Sequence, residues 1–114
     1  MSDERNLLGM VGMCRRAGKT VIGTDMVCEY LRRQSEKKSL GGNGVSVIVL
    51  ESSDTSDNTH KKISDKCEYY NVKHVRLASN SEVLGKAVGK RVAAVVAIAD
   101  ESFCRAILER LSKD

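Results

Sequence analysis

The chain has 114 residues, of which 41% are hydrophobic and 30% are charged, and its formal net charge is +4. This length predicts one domain spanning residues 1–114, large enough to bury a core without disulfides or metal ions. Only 4% of the residues are aromatic, so the core is expected to be aliphatic. The same shortage excludes a surface built mainly on aromatic base stacking.

The positive charge is concentrated in the first part of the chain. Residues 1–44 carry eight basic and five acidic side chains, whereas residues 45–80 carry five of each and residues 81–114 carry six and five. Such an imbalance suits a polyanionic partner, although a solvated basic face without any function gives the same count.

The cysteines are isolated from one another, and none belongs to a CxxC pair; they are Cys14, Cys28, Cys67 and Cys104. This spacing predicts buried free thiols rather than disulfides or a zinc site. His60 has no cysteine or histidine near it in the sequence, so we expect no metal role for it, and no cofactor is predicted. The acidic N-terminus and the lack of a long apolar run predict a cytoplasmic protein that does not enter a membrane.

Hydrophobic periodicity predicts alternating helices and strands along the chain. The predicted helices cover residues 6–17, 25–34, 56–70, 79–88 and 101–111, and the predicted strands cover residues 20–22, 45–50, 72–78 and 92–99. Residues 35–44 are glycine-rich and aperiodic, which predicts an exposed loop. This order favours an α/β fold, a three-layer α/β/α sandwich with a four-stranded mixed sheet, whose first short strand lies at an edge.

The stretch from Arg15 to Arg33 is the first candidate working surface. Gly23 follows a short β-branched run, Thr24 is a plausible helix N-cap, and Asp25 suits the positive end of the helix dipole. Free N–H groups at such a helix start can bind a phosphate or a nucleobase edge. The cations that flank this turn are Arg15, Arg16 and Lys19. An ordinary strand-to-helix turn explains the same residues.

Two enzyme hypotheses do not fit the pattern. The sequence GMCRRAGKT ends like a phosphate-binding P-loop, but five residues separate Gly12 from Gly18 where the motif needs four, and the helix precedes the strand. Nucleophilic catalysis needs a Cys or Ser near a histidine, and neither His60 nor His74 falls in an obvious catalytic loop. We therefore expect binding and no enzymatic activity.

A second basic turn lies near Gly89. Lys86, Lys90 and Arg91 surround this glycine, and residues 83–99 contain no acid. If the two turns lie at the same end of the sheet, they form one basic surface with an apolar lip from Val88 and Val92. A helix C-terminus with dipole-complementing lysines is the simpler explanation of these residues.

The whole chain resembles the kink-turn RNA-binding ribosomal proteins of the archaeal L-seven-Ae and eukaryotic L-thirty-e type, and most of all their small bacterial relatives. The resemblance is carried by LLGMVGMCRRAGKTVIGTDMV, VSVIVLESSDTSDNTHKKISDKCEYYNV and EVLGKAVGKRVAAVVAIADESFCRAI. It implies the α/β/α sandwich and RNA binding without catalysis. In that family a Gly-Thr turn meets sheared G·A pairs, and the loop before the last strand holds an extruded nucleotide.

Carried over residue by residue, Gly23 and Thr24 match the first motif, and residues 88–92 correspond to the second loop. Strong kink-turn binders have Asn, Glu and Lys where this chain has Asp25, Met26 and Glu29. An ionised Asp accepts hydrogen bonds but cannot donate them.

The resulting hypothesis is a monomeric RNA-binding protein of ribosomal-protein type, with structured RNA, the ribosome or translation factors as partners. The predicted RNA-binding residues are Arg15, Arg16, Lys19, Gly23, Thr24, Asp25, Lys86, Gly89, Lys90, Arg91 and Val92. The alternative is a module that binds protein partners of the translation machinery and has lost specific RNA recognition.

Overall fold

The computed structural model describes residues 2–39 and 46–112, which form five helices and four strands. In chain order these are α1 (Ser2–Arg16), β1 (Thr20–Ile22), α2 (Thr24–Ser39), β2 (Ile48–Glu51), α3 (Asp57–Tyr69), β3 (Lys73–Arg76), α4 (Ser81–Ala87), β4 (Val95–Ile98) and α5 (Glu101–Ser112). The predicted order of elements is confirmed.

The strands form one mixed sheet in the order β1-β4-β2-β3. β4 is antiparallel to both β1 and β2, whereas β2 and β3 are parallel. The short strand β1 lies at an edge, as the sequence predicts. The strongly apolar β4 lies in the interior of the sheet.

Helices cover both faces of the sheet and enclose two separate cores. On β4, Val96 and Ile98 belong to the core formed with α1, α4 and α5, while Val95 and Ala97 belong to the core formed with α2 and α3. All four of these side chains are buried, as expected for a strand covered on both faces. The predicted three-layer sandwich is thereby confirmed.

The boundaries of the elements differ from the prediction in places. α2 continues to Ser39, so residues 35–39 of the predicted loop are helical, and residues 40–44 of that loop lie outside the described residues. No proline or glycine interrupts residues 35–39, which explains the longer helix. Asp100 caps α5, because its carboxylate accepts from the Phe103 N–H at 3.0 Å.

The cysteines follow their predicted environment. All four are free; Cys14, Cys67 and Cys104 are buried, while Cys28 is half-buried. Burial raises the pKa of the Cys14 thiol to about 11 and that of Cys67 to about 12. Such thiols are protonated at neutral pH and are weak nucleophiles.

In the described ranges, none of the helices combines the length and hydropathy needed to cross a membrane.

His60 is not isolated in the fold. Its ring centroid lies 6.0 Å from that of His74, and both imidazoles contact the buried carboxylate of Glu51. His60 has no histidine near it in the sequence, but the parallel pairing of β2 with β3 brings together residues that are distant in the sequence.

Candidate functional site

The first turn of the site is held between β4 and α2 by the backbone of Gly23. Its N–H donates to the Val95 carbonyl at 2.9 Å, and its own carbonyl accepts from the Val27 N–H at 2.9 Å. Gly23 has a φ of +102°, which side-chain-bearing residues rarely adopt. α2 begins at Thr24, so Gly23 and not Thr24 occupies the capping position, and the prediction for Thr24 is off by one residue.

The second turn connects α4 to β4 and is packed tightly against α4. The Lys90 N–H donates to the Gly85 carbonyl at 2.8 Å, and the Ala93 N–H donates to the Ser81 carbonyl at 2.9 Å. A Cβ atom on Gly85 would lie 2.7 Å from backbone atoms of Val92. Only glycine allows this approach, which fixes the path of residues 90–93.

The antiparallel pairing of β1 with β4 brings the two turns to the same end of the sheet. Ile22 pairs with Val96, and the Gly23–Val95 hydrogen bond continues this register, so the Gly23-Thr24 turn lies beside the chain that enters β4. The Ser52 N–H donates to the Ala94 carbonyl at 2.8 Å, which adds the carboxyl end of β2 to this region. The geometric condition for one composite surface is therefore met.

Several of the predicted cations lie near the second turn. A Cβ atom on Gly89 would meet the guanidinium of Arg15 at 3.1 Å, so the Arg15 side chain covers this glycine. Gly89 itself has a φ of +71°. The other exposed cations of this region are Lys86, Lys90 and Arg91, and Arg16 is exposed at the end of α1.

Lys19 is placed apart from the Gly23 turn. Its carbonyl accepts from the Ala99 N–H at 2.8 Å, next to the carboxyl end of β4, whereas Gly23 binds Val95 at the other end of that strand. The side chain of Lys19 is exposed, but β1 separates it from Gly23.

The apolar part of this surface differs from the prediction. Val92 is 56% exposed, but Val88 is fully buried in the core and cannot form a lip, because the last turn of α4 points it at the sheet. Met26 is 63% exposed in the first turn of α2, directly after Asp25. In the sequence, only the position of Met26 in the Gly-Thr motif indicates that this residue belongs to the surface.

Lys62 is a residue of this surface that the sequence did not indicate. Its ammonium lies 3.0 Å from the Asp25 carboxylate, and this hydrogen bond raises the pKa of Lys62. The pair joins α3 to the start of α2 across 37 residues of sequence, so only the fold could show it. A cation therefore stands at the turn although α2 itself supplies acids there.

Arg32 and Arg33 are engaged within α2. Both bind the carboxylate of Glu29, at 2.6 and 3.1 Å, and Arg32 also binds Glu36 at 2.6 Å. The hydrogen bonds from Arg32 and Arg33 lower the pKa of Glu29. The negative charge of Glu29 is thus balanced locally, and the two arginines are less available to a polyanion.

The arrangement around Cys14 does not support an enzyme of the P-loop or cysteine type. Cys14 is fully buried, and its thiol donates to the Lys19 carbonyl at 3.3 Å. The turn from Gly18 to Thr20 joins a helix to a strand, which is the reverse of the phosphate-binding motif.

Comparisons with known proteins agree with one another. The profile of the ribosomal protein L7Ae/L30e/S12e/Gadd45 family matches residues 5–109. RNA-binding protein YlxQ of Bacillus subtilis (strain 168) is 35% identical over 102 residues, covering 90% of this chain and 91% of that protein. RNA-binding protein YlxQ of Enterococcus faecium is 29% identical over 103 residues, covering 90% and 88%.

Two solved structures share the fold. A protein with unknown function from Bacillus halodurans C superposes with a TM-score of 0.76 at 27% identity, over 93% of this chain and 96% of that one. The Giardia lamblia 15.5kD RNA binding protein has a TM-score of 0.67 at 16% identity, over 99% and 88%, which is a likeness of fold alone.

Proposed function

Because the chain belongs to the ribosomal protein L7Ae/L30e/S12e/Gadd45 family, we propose that it binds structured RNA of the kink-turn kind in the translation machinery. The family and the two YlxQ relatives are non-enzymatic, in agreement with the prediction that the chain is not an enzyme. The names of both relatives describe RNA-binding proteins, and this supports an RNA partner here.

The observation that carries the proposal is the meeting of two turns at one end of the sheet. The Gly23 N–H bonds to Val95, so the Gly23-Thr24 turn and the chain entering β4 are neighbours. The resemblance to kink-turn binders assigns base-pair contacts to the first turn and an extruded nucleotide to the second. The exposed side chain of Val92 would receive this unstacked base.

The charges suit phosphate contacts around these turns. Arg15, Lys86, Lys90 and Arg91 flank the second turn, and Lys62 stands at the first. Lysine and arginine contacts to phosphate give affinity without base specificity. We propose that these side chains neutralise the backbone of the RNA, with Arg16 and Lys19 at the margin of the contact.

A salt titration of RNA binding tests the proposal. We would compare a kink-turn RNA with a duplex of equal length by fluorescence anisotropy at several salt concentrations. The kink-turn RNA is expected to bind more tightly, with an affinity that falls as salt rises. If neither RNA binds more tightly than about 10 μM near physiological salt, which is the range of weak nonspecific binding, RNA recognition should be abandoned.

Lys90→Ala is the variant that locates the contact. We expect it to weaken binding of both RNAs and to reduce the slope of log affinity against log salt by about one. Lys37→Ala is a matched control, because Lys37 is an exposed lysine about 20 Å along α2 from Thr24. Equal effects of the two variants would contradict the proposed surface.

The alternative function is a module that binds protein partners of the same machinery. The observation that favours it is the pair of acidic residues Asp25 and Glu29 in the first turns of α2, where strong RNA readers of the family carry other residues. Failure of the RNA titration with a folded protein would support this alternative.

A further inference from the structure

A cluster outside the proposed RNA contacts brings two imidazoles to one buried carboxylate. Glu51 ends β2 and is fully buried. A carboxylate is rarely buried unless other polar groups pair with it. His74 approaches it from β3, with Nε2 at 2.7 Å from Oε1, and His60 approaches from α3, with Nδ1 at 2.9 Å from the same oxygen.

The fold positions these three side chains on the same face of the sheet. β2 and β3 are parallel, with Val49 opposite His74 and Glu51 opposite Arg76, so His74 and Glu51 both point toward the layer formed by α2 and α3. His60 lies in the first turn of α3, next to the carboxyl end of β2. Rigid elements therefore supply all three groups.

We propose that Glu51, His60 and His74 form a binding site for a divalent transition metal ion, with Zn²⁺ as the ion that suits it best. The three ligand atoms lie within 4.8 Å of one another. Two imidazole nitrogens and one carboxylate oxygen are a common ligand set of zinc sites that keep a fourth position open.

The geometry requires only small movements to receive the ion. At bond lengths near 2.1 Å, neighbouring ligands of a tetrahedral Zn²⁺ stand about 3.4 Å apart. The present N···O distances of 2.7 and 2.9 Å would open by roughly 0.7 and 0.5 Å, respectively. Rotation of the two imidazoles about their side-chain bonds supplies this movement without a shift of the backbone.

The second oxygen of Glu51 is already oriented by other groups. The Thr55 hydroxyl donates a hydrogen bond to Oε2, and Nε of Arg76 lies 3.5 Å from the same atom. Nδ1 of His60 also lies 2.8 Å from Oε2, whereas Nε2 of His74 contacts Oε1. Partners such as Thr55 and Arg76 hold a ligating carboxylate in place and ionised. Burial raises the pKa of Glu51, but the hydrogen bonds from Thr55, His60 and His74 outweigh it and hold the pKa below its ordinary value.

Solvent reaches the cluster from the side of His60. The side chain of His60 is 40% exposed and that of His74 is 18% exposed, whereas Glu51 is sealed. An ion can therefore enter beside His60, and a water molecule can occupy the fourth coordination position. None of the three ligands is among the proposed RNA-binding residues, and the proposal does not depend on RNA binding.

The test uses the full chain without an affinity tag, in a non-coordinating buffer, titrated with Zn²⁺ against a chromophoric chelator. We expect one Zn²⁺ per chain and at least a tenfold loss of affinity in each of His60→Ala and His74→Ala. Cys28→Ser is the matched control, because Cys28 is the half-buried thiol, and its affinity should equal that of the wild type. Unchanged affinity in both histidine variants would overturn the proposal.

Two measurements on the wild-type protein avoid the question of whether a variant folds. Nitrogen-15 spectra of the histidine rings should show Zn²⁺-dependent shifts at Nδ1 of His60 and Nε2 of His74. Co²⁺ in place of Zn²⁺ should give visible d–d bands without a thiolate charge-transfer band. Absence of the ring shifts, or a thiolate band, would overturn the assignment.

Discussion

Gly85 determines how closely α4 approaches the chain that enters β4. A Cβ atom at this position would meet Val92 backbone atoms at 2.7 Å, and no side-chain rotation can relieve a contact with backbone. The close approach also keeps the Lys90 N–H on the Gly85 carbonyl. The absence of a side chain at Gly85 thus determines the path of the second turn.

Gly85→Ala is expected to lower the free energy of unfolding by at least about 2 kcal/mol, because the backbone at Val92 must move. Gly9→Ala is the matched control within α1, where a Cβ atom would meet nothing within 4 Å, and it should raise the stability by about 0.5–1 kcal/mol. Urea denaturation of both variants checks this. Equal effects would mean that the contact at Val92 is easily relieved.

Asp25→Asn changes the first turn without changing its size. In the wild type the Asp25 carboxylate holds Lys62 at 3.0 Å. An asparagine can donate as well as accept at a base edge, which favours the kink-turn RNA, whereas the released Lys62 adds phosphate affinity for either RNA. We expect about tenfold tighter binding of a kink-turn RNA, with a much smaller change for a plain duplex. Equal gains for both RNAs in anisotropy titrations would argue against base contacts at this turn.

At the scale of whole elements, α1 acts on the loops that flank α4. Near its start, the Glu4 carboxylate accepts from the Ala78 N–H at 3.0 Å and from the Ser79 hydroxyl. Near its end, Arg15 covers Gly89. The same helix therefore holds the chain before α4 and the turn after it.

Glu4→Gln tests the first of these contacts. Burial raises the pKa of Glu4, but hydrogen bonds from Ser79 and Ala78 outweigh it and lower the pKa below its ordinary value of 4.5. Because the folded pKa is lowered, ionised Glu4 adds stability above pH 4.5, and this is lost as the pH falls through the folded pKa.

The Gln variant should lose about 1–2 kcal/mol of unfolding free energy at pH 7 and lose less than the wild type on acidification. Glu68→Gln, at an exposed position of α3, is the control and should change the stability by less than about 0.5 kcal/mol. Urea denaturation at pH 7 and at pH 3–5 measures both. Parallel acid curves for wild type and Glu4→Gln would contradict the assignment.

The periodicity of the sequence was enough to predict the elements and the sandwich. Runs such as VVAI are correctly predicted as strands, because a strand buried on both faces needs apolar side chains at every position. The periodicity does not predict which strands pair with each other. Lys62 near Asp25, and His60 near His74, depend on which strand ends and helices become neighbours, and local sequence does not encode that. Val88 was misassigned because a helix end can turn either toward the core or away from it.

At the scale of the whole molecule, two aliphatic cores hold the layers together, and buried thiols belong to both. Cys14 lies in the core of α1, α4 and α5, and Cys67 lies in the core of α2 and α3. A neutral thiol packs well in such a core, whereas its thiolate does not. The stability of the sandwich should therefore respond to alkaline pH.

Cys14→Ala isolates this response. Burial, followed by the charge of Asp100, raises the pKa of Cys14 to about 11 from its ordinary value of 9.0. The folded pKa is raised, so the neutral thiol stabilises the protein fully below pH 9, and the contribution is lost as the pH rises to about 11. The Ala variant should be less stable at pH 7–8, but its free energy of unfolding should fall less steeply above pH 9. A constant difference between the two proteins across the whole range would contradict this.

The position of β4 in the sheet also sets the order in which the chain can fold during its synthesis. β4 is the last strand to be made, yet β1 pairs with β4 in the sheet, with Thr20 opposite Ile98, and β2 pairs with β4 on its other side. Until residues 95–98 leave the ribosomal tunnel, β1 has no strand partner and β2 can pair only with β3. Translation proceeds at about 5–20 residues per second, so the N-terminal third waits several seconds for its partner. The four-stranded sheet can therefore be completed only late in synthesis, when β4 joins β1 to β2.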